Sequence, residues 1–465
     1  MHTIRKGLAL LGILAAAACA DMTVPDFNNS GLDDLRNNPT RAKVIQASQG
    51  LLVGTRVMMG AQNAYVSLLG ILGRESYNFD PADPRFITEM LIGPLDGGSP
   101  AFGGNLFVQP YRNIRNANTL LTALDIVEGV TNEEKEGMRG FAKTIMALDY
   151  LLVINTRDNL GAPIDVSGDP TGPPAPIASK AAVLAHIAQL LDEGRTHLLA
   201  AGTAFAFSLG PGFAGFDTPP TFLEVNRAIK ARVDVYTATA TPGSPVIAAY
   251  AAALQSLAAS FVSTSAPLDL GVYHAYSTAS GDLQNELFDP TGRAIVAHPS
   301  LTTDAQPRPG GGLDLRYERK VDFLEEPRTV QNVTTDILFT IYDSPAAPIP
   351  IIRNEELLLL RAEARWFTGD RVGAMADLNF VRTTSGGLAP IAQPATDAAF
   401  IDALLYERRY SLLFEGGHRW IDTRRLNRQS TLPLALGTHT RQPRFPFPEA
   451  ECLARVPPPV ECPQG

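Results

Sequence analysis

The feature that most constrains the fold is a pair of amphipathic helical segments, Asn354 to Thr368 and Arg371 to Thr383. Within this pair, small and large apolar residues fall at offsets of 0, 7, 12 and 16 positions, namely Ala362, Gly369, Ala374 and Leu378. This spacing is typical of a tetratricopeptide unit, in which small residues let two helices approach closely. Because such a pair cannot bury its apolar face alone, it predicts neighbouring helix pairs that share one core.

Other segments have apolar residues at three- and four-residue steps and predict further helices. They cover residues 41–73, 108–125, 132–156, 179–199, 221–237 and 245–262. Two intervening regions, about 76–105 and 266–348, are rich in Pro, Gly and Asp and are predicted to be loop-rich and irregular, with short strand-like pieces such as 337–342. The sequence therefore predicts a mainly α-helical protein, with a single continuous helical domain over residues 41–465.

The N-terminus resembles a bacterial export signal. After a basic start, the apolar run from Gly7 to Ala18 holds 12 residues, whereas a membrane-spanning helix needs roughly 20. The run ends in small residues before Cys19, as a lipobox does, although Ala16 replaces the usual Leu. We expect residues 1–18 to be a lipoprotein signal peptide and Cys19 to be acylated, with an ordinary cleavage site as the alternative. The polar residues 19–40 are predicted to be a flexible tether.

The charge of the chain bears on whether it binds nucleic acid. The net charge of −9 and the pI near 5.4, without a cluster of Lys and Arg, argue against a nucleic-acid partner.

Two cysteines remain besides Cys19, namely Cys452 and Cys462, on either side of a proline-rich loop. In an exported protein we expect them to form a local disulfide, and two free thiols are the alternative.

Two short motifs could suggest a cofactor or a metal, and both are incomplete. Gly210, Gly212 and Gly215 have the spacing of a dinucleotide-binding turn, but Pro211 occupies the turn and further prolines delay the next helix. His418 and Asp422 lie four residues apart on a predicted helix, but no third ligand is near in the sequence. We therefore expect no cofactor and no metal.

Four motifs occur in a fixed order along the chain. The first comprises Tyr111, Ile114, Ala117 and Asn118, and the second comprises Ala142, Lys143, Ala147, Tyr150, Gly161 and Pro163. The third is the segment from Tyr406 to Arg425, here called the signature segment, with Glu407, Arg408, Arg409, Leu412, Phe414, Glu415, Gly416, His418, Arg419, Trp420, Asp422 and Arg425. The fourth comprises Phe445, Pro446, Phe447, Pro448 and Glu451. Together they resemble the SusD/RagB family of nutrient-uptake outer-membrane lipoproteins, with an extra Gly417 as a departure from the pattern.

The resemblance implies a SusD-like fold, in which tetratricopeptide-like helix pairs form a superhelical scaffold and long loops bind the ligand. It also implies a cell-surface protein, lipid-anchored in the outer membrane, that captures a glycan or a peptide. The implied partner is a SusC-like TonB-dependent receptor, to which the ligand is delivered. The sequence does not distinguish a glycan from a peptide.

The charged residues of the signature segment could suggest an active site, but we interpret them as a structural network. We expect Arg409 to pair with Glu415, and Arg419 to pair with Asp422. Glu407, His418 and Trp420 are assigned to the same structural role, and no catalytic residue is predicted.

Ligand contacts are expected from aromatic side chains in the two loop-rich regions, because sugars and peptides are held by ring faces together with a few polar groups. The candidates are Tyr77, Phe79, Phe86, Tyr273, His274, Tyr276 and Phe288. The alternative for each is packing beneath its own loop.

Two other functions compete with nutrient binding. A surface hydrolase of polysaccharide or peptide would need ordered carboxylates, and the only dense acidic supply in a loop is Glu75, Asp80, Asp83 and Asp96. A tetratricopeptide adaptor that binds no small ligand would not need long loops. The sequence therefore predicts a binding protein and not an enzyme.

Overall fold

The computed structural model describes residues 31–168, 172–459 and 462. The predicted mainly helical fold is confirmed. The helices are α1 (Leu32–Asn37), α2 (Arg41–Arg56), α3 (Tyr65–Leu72), α4 (Arg85–Ile87), α5 (Asn105–Ile126), α6 (Asn132–Arg157), α7 (Lys180–Ala200), α8 (Pro219–Ala238), α9 (Ile247–Ala258), α10 (Ser300–Thr303), α11 (Leu315–Lys320), α12 (Asn354–Phe367), α13 (Arg371–Thr384), α14 (Asp397–Ser411), α15 (His418–Arg425) and α16 (Glu449–Leu453). The strands are β1 (Ser76–Asn78), β2 (Ala162–Pro163), β3 (Ile177–Ala178), β4 (Gly271–His274), β5 (Ile295–Ala297), β6 (Val321–Val330), β7 (Val333–Phe339) and β8 (Ile349–Arg353).

Several of the long helices begin at residues whose side chains cap free backbone N–H groups. Ser179 accepts a hydrogen bond from the N–H of Ala182 at the start of α7. At α6 the N-cap is Thr131, which forms a reciprocal capping box with Glu134.

Consecutive helices pack against each other through small residues. In α12 and α13 the side chains of Ala362, Ala374 and Leu378 are fully buried, as the tetratricopeptide spacing predicted. Between α6 and α7, a Cβ added at Gly194 would lie 3.2 Å from the carbonyl oxygen of Gly140. These contacts bring the helix backbones close together and let neighbouring pairs share one core.

The loop-rich regions contain short antiparallel strands that join distant parts of the chain. β1 pairs with β5, so that Tyr77 lies opposite Val296. β4 pairs with β8, and β6 pairs with β7 through a tight turn at Gln331 and Asn332, both with positive φ. Consequently the first loop-rich region, around residue 76, lies directly against the second, around residue 295.

Part of the predicted tether is helical. α1 lies within residues 19–40, and of its two leucines Leu35 is buried. The predicted signal peptide, residues 1–18, and Cys19 lie outside the described residues.

The C-terminal segment is closed by a disulfide between Cys452 and Cys462. Cys452 lies in α16, before the proline-rich loop. Within the described part of the chain, no helix has the length and apolar character needed to cross a membrane.

Candidate ligand-binding site

A surface concavity of about 280 Å³ lies where the two loop-rich regions meet. We call it the loop concavity. It is lined by Gln62, Asp80, Pro81, Phe288, Asp289, Thr291, Arg293 and Ala294. Its size approaches that of ordinary small-ligand sites, which run from roughly 300 Å³ upwards.

The pairing of β1 with β5 places the two walls of the loop concavity. Just beyond the paired residues, the backbone N–H of Phe79 donates to the carbonyl oxygen of Ala294 at 2.6 Å. The side-chain amide of Asn78 donates to the carbonyl oxygen of Gln62 at 3.2 Å. Asp80 and Gln62 on one wall are therefore held at a fixed distance from the 288–294 loop on the other.

Asp289 organises the 288–294 loop from within. One of its carboxylate oxygens accepts from the backbone N–H groups of Ala294, at 2.7 Å, and Ile295, at 3.0 Å. The other accepts from the Thr291 hydroxyl at 3.0 Å and from the N–H of Arg293 at 3.1 Å. Burial raises the pKa of Asp289, but these hydrogen bonds outweigh it and hold the pKa below its usual value. Asp289 is thus an ionised loop organiser rather than a group free to bind a ligand.

The β6–β7 hairpin supports the same loop from behind. The guanidinium of Arg328 donates to the carbonyl oxygen of Gly292 and lies 5.7 Å from the ring centre of Phe79. Gly292 has φ of 57°, and an added Cβ would lie 3.1 to 3.2 Å from Leu338, Leu324 and Val296. A side chain at this position would therefore strain the turn and press on the hairpin.

The groups that face the loop concavity suit a small polar ligand with an apolar face. Phe288 is half-buried and offers part of its ring, while Thr291 and Arg293 are exposed. Gln62 and Asp80 are half-buried on the opposite wall. One aromatic face among amide, carboxylate, hydroxyl and guanidinium groups is an arrangement that binds hydroxyl-rich molecules by stacking and hydrogen bonding.

Five of the seven aromatic residues proposed from the sequence as ligand contacts are buried, namely Tyr77, Phe79, Phe86, His274 and Tyr276, which argues against direct ligand contact for them. Tyr77 and Phe79 are each 1% exposed and stack on each other with ring centres 5.7 Å apart. Tyr276 is 6% exposed, and its hydroxyl donates to the carbonyl oxygen of Arg56 at 3.2 Å. Because stacking on a ligand needs an accessible ring face, these residues support the loops from below instead.

The remaining aromatic candidates have different positions. Phe288 lines the loop concavity. Tyr273 is half-buried on β4, and its hydroxyl donates to the carbonyl oxygen of Asp269, so it lies outside the concavity. Phe86 is buried against Phe102, with ring centres 5.2 Å apart. His274 is also buried and faces an internal cavity.

Sequence reasoning missed six of the eight residues that line the loop concavity, and among them the polar residues Gln62, Thr291 and Arg293 face the candidate ligand site. Each is an ordinary polar residue in a turn, and only the β1–β5 pairing brings them together. The sequence did contain one usable signal for the loop. The Asp-Pro-Thr-Gly run from Asp289 is a typical turn sequence, in which an Asp side chain accepts from backbone N–H groups further along.

The ion pairs of the signature segment differ from those predicted. Asp422 is paired with Arg408, at 2.6 Å, and with Arg425, at 2.8 Å. Arg419 instead donates to the carbonyl oxygen of Arg74 at 2.7 Å. The predicted pairing of Arg419 with Asp422 was therefore wrong, because Arg419 reaches the backbone of Arg74 while Asp422 is bound by Arg408 and Arg425.

The second predicted pairing was also wrong. Arg409 binds Asp304 at 2.6 Å, and Glu415 binds Arg353 at 2.9 Å. Between Arg409 and Glu415 the chain leaves α14 and turns through Phe414, which has positive φ. The two side chains therefore point toward separate partners, Asp304 in the second loop-rich region and Arg353 at the end of β8, whose positions the local sequence could not reveal.

The other signature residues are buried within the same network. Glu407 pairs with Arg316 at 2.6 Å and Arg382 at 2.7 Å. The indole N–H of Trp420 donates to the carbonyl oxygen of Gln442 at 2.9 Å. His418 is buried with Nδ1 unpartnered among the described residues. In the described ranges, no group of His, Cys, Asp and Glu side chains could hold a metal ion.

The fold and the loop concavity together form a helical scaffold that carries a candidate ligand site. The model of the SusD family matches residues 341–441, a range that includes α12 to α15 and the whole signature segment. The predicted resemblance to the SusD/RagB family is thereby confirmed.

Solved structures with the same fold cover most of the chain. Surface glycan-binding protein A from Bacteroides uniformis aligns with a TM-score of 0.68 at 16% identity, over 89% of this chain and 98% of that one. Surface glycan-binding protein A from Bacteroides thetaiotaomicron in complex with laminarihexaose gives 0.66 at 14% identity, over 89% and 98%. NanU from Bacteroides fragilis gives 0.60 at 15% identity, over 92% and 97%. These matches show the fold, and no curated protein matches the chain.

Proposed function

We propose that this protein is a cell-surface lipoprotein that captures a glycan and delivers it to a SusC-like TonB-dependent transporter of the outer membrane. The observation that carries the ligand part is the loop concavity, where Phe288 lies among polar groups held by Asp289 and by the β1–β5 pairing. Such preorganised loops on a rigid scaffold are how binding proteins place ligand contacts.

A glycan is preferred to a peptide for two reasons. The lining is mostly polar, with one aromatic face and no deep apolar pocket for a peptide side chain. A solved structure with the same fold is a glycan-binding protein in complex with laminarihexaose. Asp80, Gln62 and Arg293 supply the acceptors and donors that sugar hydroxyls require.

The proposed lipid anchor rests on the N-terminal signal sequence, and the proposed delivery to a transporter rests on the resemblance to the SusD family. We infer that Cys19 carries lipid, which would hold the protein at the membrane without a spanning helix. The experiment replaces Cys19 with Ser and follows the protein between membrane and soluble fractions. Movement into the soluble fraction, with loss of fatty-acid labelling, is the expected result, and unchanged membrane association would refute the anchor.

Delivery is tested by purifying the lipidated protein from detergent-solubilised outer membranes of its own cells. A TonB-dependent receptor should copurify in a stable ratio. The Cys19→Ser protein, added to the same receptor in detergent, should still bind it, because the contact is made between protein surfaces. Purification without any such receptor would contradict the transport role while leaving ligand capture open to its own test.

A further inference from the structure

Two side chains of opposite charge lie on opposite walls of the loop concavity. The backbone N–H of Phe79 donates to the carbonyl oxygen of Ala294 at 2.6 Å, so the β1–β5 pairing continues one residue past Asn78. The same register, carried one residue further, brings Asp80 opposite Arg293. Both of these residues line the concavity. A carboxylate and a guanidinium group therefore belong to facing positions on its two walls.

These two charged groups are not paired with each other or with another charge in the described part of the chain. One carboxylate oxygen of Asp80 accepts from the backbone N–H of Ala82 at 2.9 Å, and the other has no partner among the described residues. Arg293 is exposed and donates to Asp289 through its backbone N–H, while its guanidinium forms no ion pair with a described carboxylate. Asp289, the third charged residue of the lining, is fully occupied by hydrogen bonds within its own loop and from β5. The concavity thus offers a ligand one free charge of each sign.

A pair of sugar hydroxyls suits a gap between opposite charges, because each hydroxyl both donates and accepts. One hydroxyl can donate to Asp80 while its neighbour on the ring accepts from Arg293, and hydrogen bonds to ionised groups are the stronger ones. A uronic acid would bring its carboxylate against Asp80, and an amino sugar would bring its ammonium group against Arg293. Like charges placed side by side in a binding site discriminate against both of these ligands.

We propose that the loop concavity selects uncharged sugars, with neighbouring hydroxyls of one sugar unit bridging Asp80 and Arg293 while its apolar face lies on Phe288. This inference rests on the proposed glycan-binding function and adds the class of glycan and the two residues that select it. Gln62 and Thr291 supply uncharged donors and acceptors for the remaining hydroxyls.

The test screens the purified, non-lipidated protein on an array of neutral, uronic-acid and free-amine oligosaccharides and titrates the strongest binder by calorimetry. We expect that binder to be neutral, with an affinity that changes little between low and high salt. Asp80→Asn and Arg293→Gln should each weaken its binding about tenfold or more, because each removes a hydrogen bond to an ionised group. The Asn side chain can still accept from the N–H of Ala82, so the turn is kept.

The two variants should also change ligand selectivity in opposite directions. Asp80→Asn leaves Arg293 as the free charge and should raise the affinity for uronic-acid glycans relative to neutral ones. Arg293→Gln leaves Asp80 and should raise the relative affinity for amino glycans. Residues that only supported the loops would not produce opposite changes. Asp402→Asn is the matched control, because Asp402 is an exposed carboxylate that pairs with Arg428 and does not line the concavity.

The outcomes separate this inference from the proposed function. A strongest binder that is acidic or basic, or unchanged affinity for the neutral glycan in either Asp80→Asn or Arg293→Gln, would overturn the inference. Loss of affinity in Phe288→Ala for the same glycan would then leave the proposed function standing. If no glycan on the array binds, or if Phe288→Ala changes nothing, the proposed function fails and this inference fails with it.

Discussion

Arg425→Leu is expected to destabilise the protein strongly, because Arg425 joins two buried carboxylates. Its guanidinium donates to both oxygens of Glu363, at 2.6 and 2.7 Å, and to Asp422 at 2.8 Å. Asp422 would keep Arg408 as a partner, but Glu363, which is fully buried, would keep only the hydroxyl of Tyr250 at 2.9 Å. An uncompensated buried charge of this kind costs about 3–5 kcal/mol.

The assay is equilibrium urea unfolding of the non-lipidated protein. Arg428→Leu is the matched control, because Arg428 pairs with Asp402 at 2.7 Å on the surface, where Asp402 is 61% exposed. That substitution should cost less than about 1 kcal/mol. The double variant Arg425→Leu with Glu363→Leu removes both charges and should recover at least half of the lost stability. A cost for Arg425→Leu no larger than for the control, or no recovery in the double variant, would refute the reasoning.

Three further predictions concern the loop, the histidines and the turn beside the concavity. Asp289→Ala should weaken ligand binding at least tenfold by titration calorimetry while the melting temperature changes little, because its hydrogen bonds are confined to the 288–294 loop and the first residue of β5. Unchanged affinity would contradict the preorganisation argument. The melting temperature should fall as pH drops from about 6.5 toward 4. Burial lowers the pKa of His418 to about 4 and of His274 to about 3 in the folded chain, so the folded chain binds fewer protons than the unfolded one. His418→Gln should reduce the slope of melting temperature against pH, and an equal slope in the variant would contradict this prediction. Gly292→Val should lower both ligand affinity and melting temperature, because Gly292 has φ of 57° and the β6–β7 hairpin lies against it. Gly310→Val is the control: Gly310 is also at positive φ but lies in an open turn, so this variant should leave ligand affinity unchanged.

One buried carboxylate acts in the opposite direction with pH. Burial raises the pKa of Glu75 to about 7, although Arg419 lies nearby and lowers it. A folded pKa above the unfolded one favours folding at low pH, and this contribution is lost as pH rises through about 7. The buried histidines therefore lower stability as pH falls below about 6.5, whereas Glu75 lowers stability as pH rises toward about 7.

The helical scaffold was readable from sequence because its signals are local. The offsets of Ala362, Ala374 and Leu378 correspond to side chains that are fully buried between α12 and α13. Caps such as Ser179 lie within four residues of the N–H groups that they bind. Where one helix packs against the next helix in the sequence, apolar periodicity and the positions of small residues are enough to predict most of the contact.

The loop concavity was only partly readable, because its residues meet through pairing of distant strands. Phe288 was identified as an aromatic in a loop, but nothing local distinguishes it from Tyr77, which lies on β1 and is buried against His298 with ring centres 4.9 Å apart. The partners of Arg409 and Glu415 were likewise misassigned, because Asp304 and Arg353 are distant in the sequence from the signature segment. Aromatic character predicts a contact, whereas the choice between ligand and core depends on tertiary structure.

The central claim, that the loop concavity binds a glycan, is tested most directly by calorimetric titration of wild type and two variants with one glycan found by array screening. Phe288→Ala removes the ring that lines the concavity, and Phe323→Ala removes a ring that is 54% exposed on the β6–β7 hairpin and does not line it. We predict that Phe288→Ala weakens binding by about 1–3 kcal/mol, as a central aromatic contact does, while Phe323→Ala binds as wild type. Equal affinity for wild type and Phe288→Ala, or loss of binding only in Phe323→Ala, would contradict the claim.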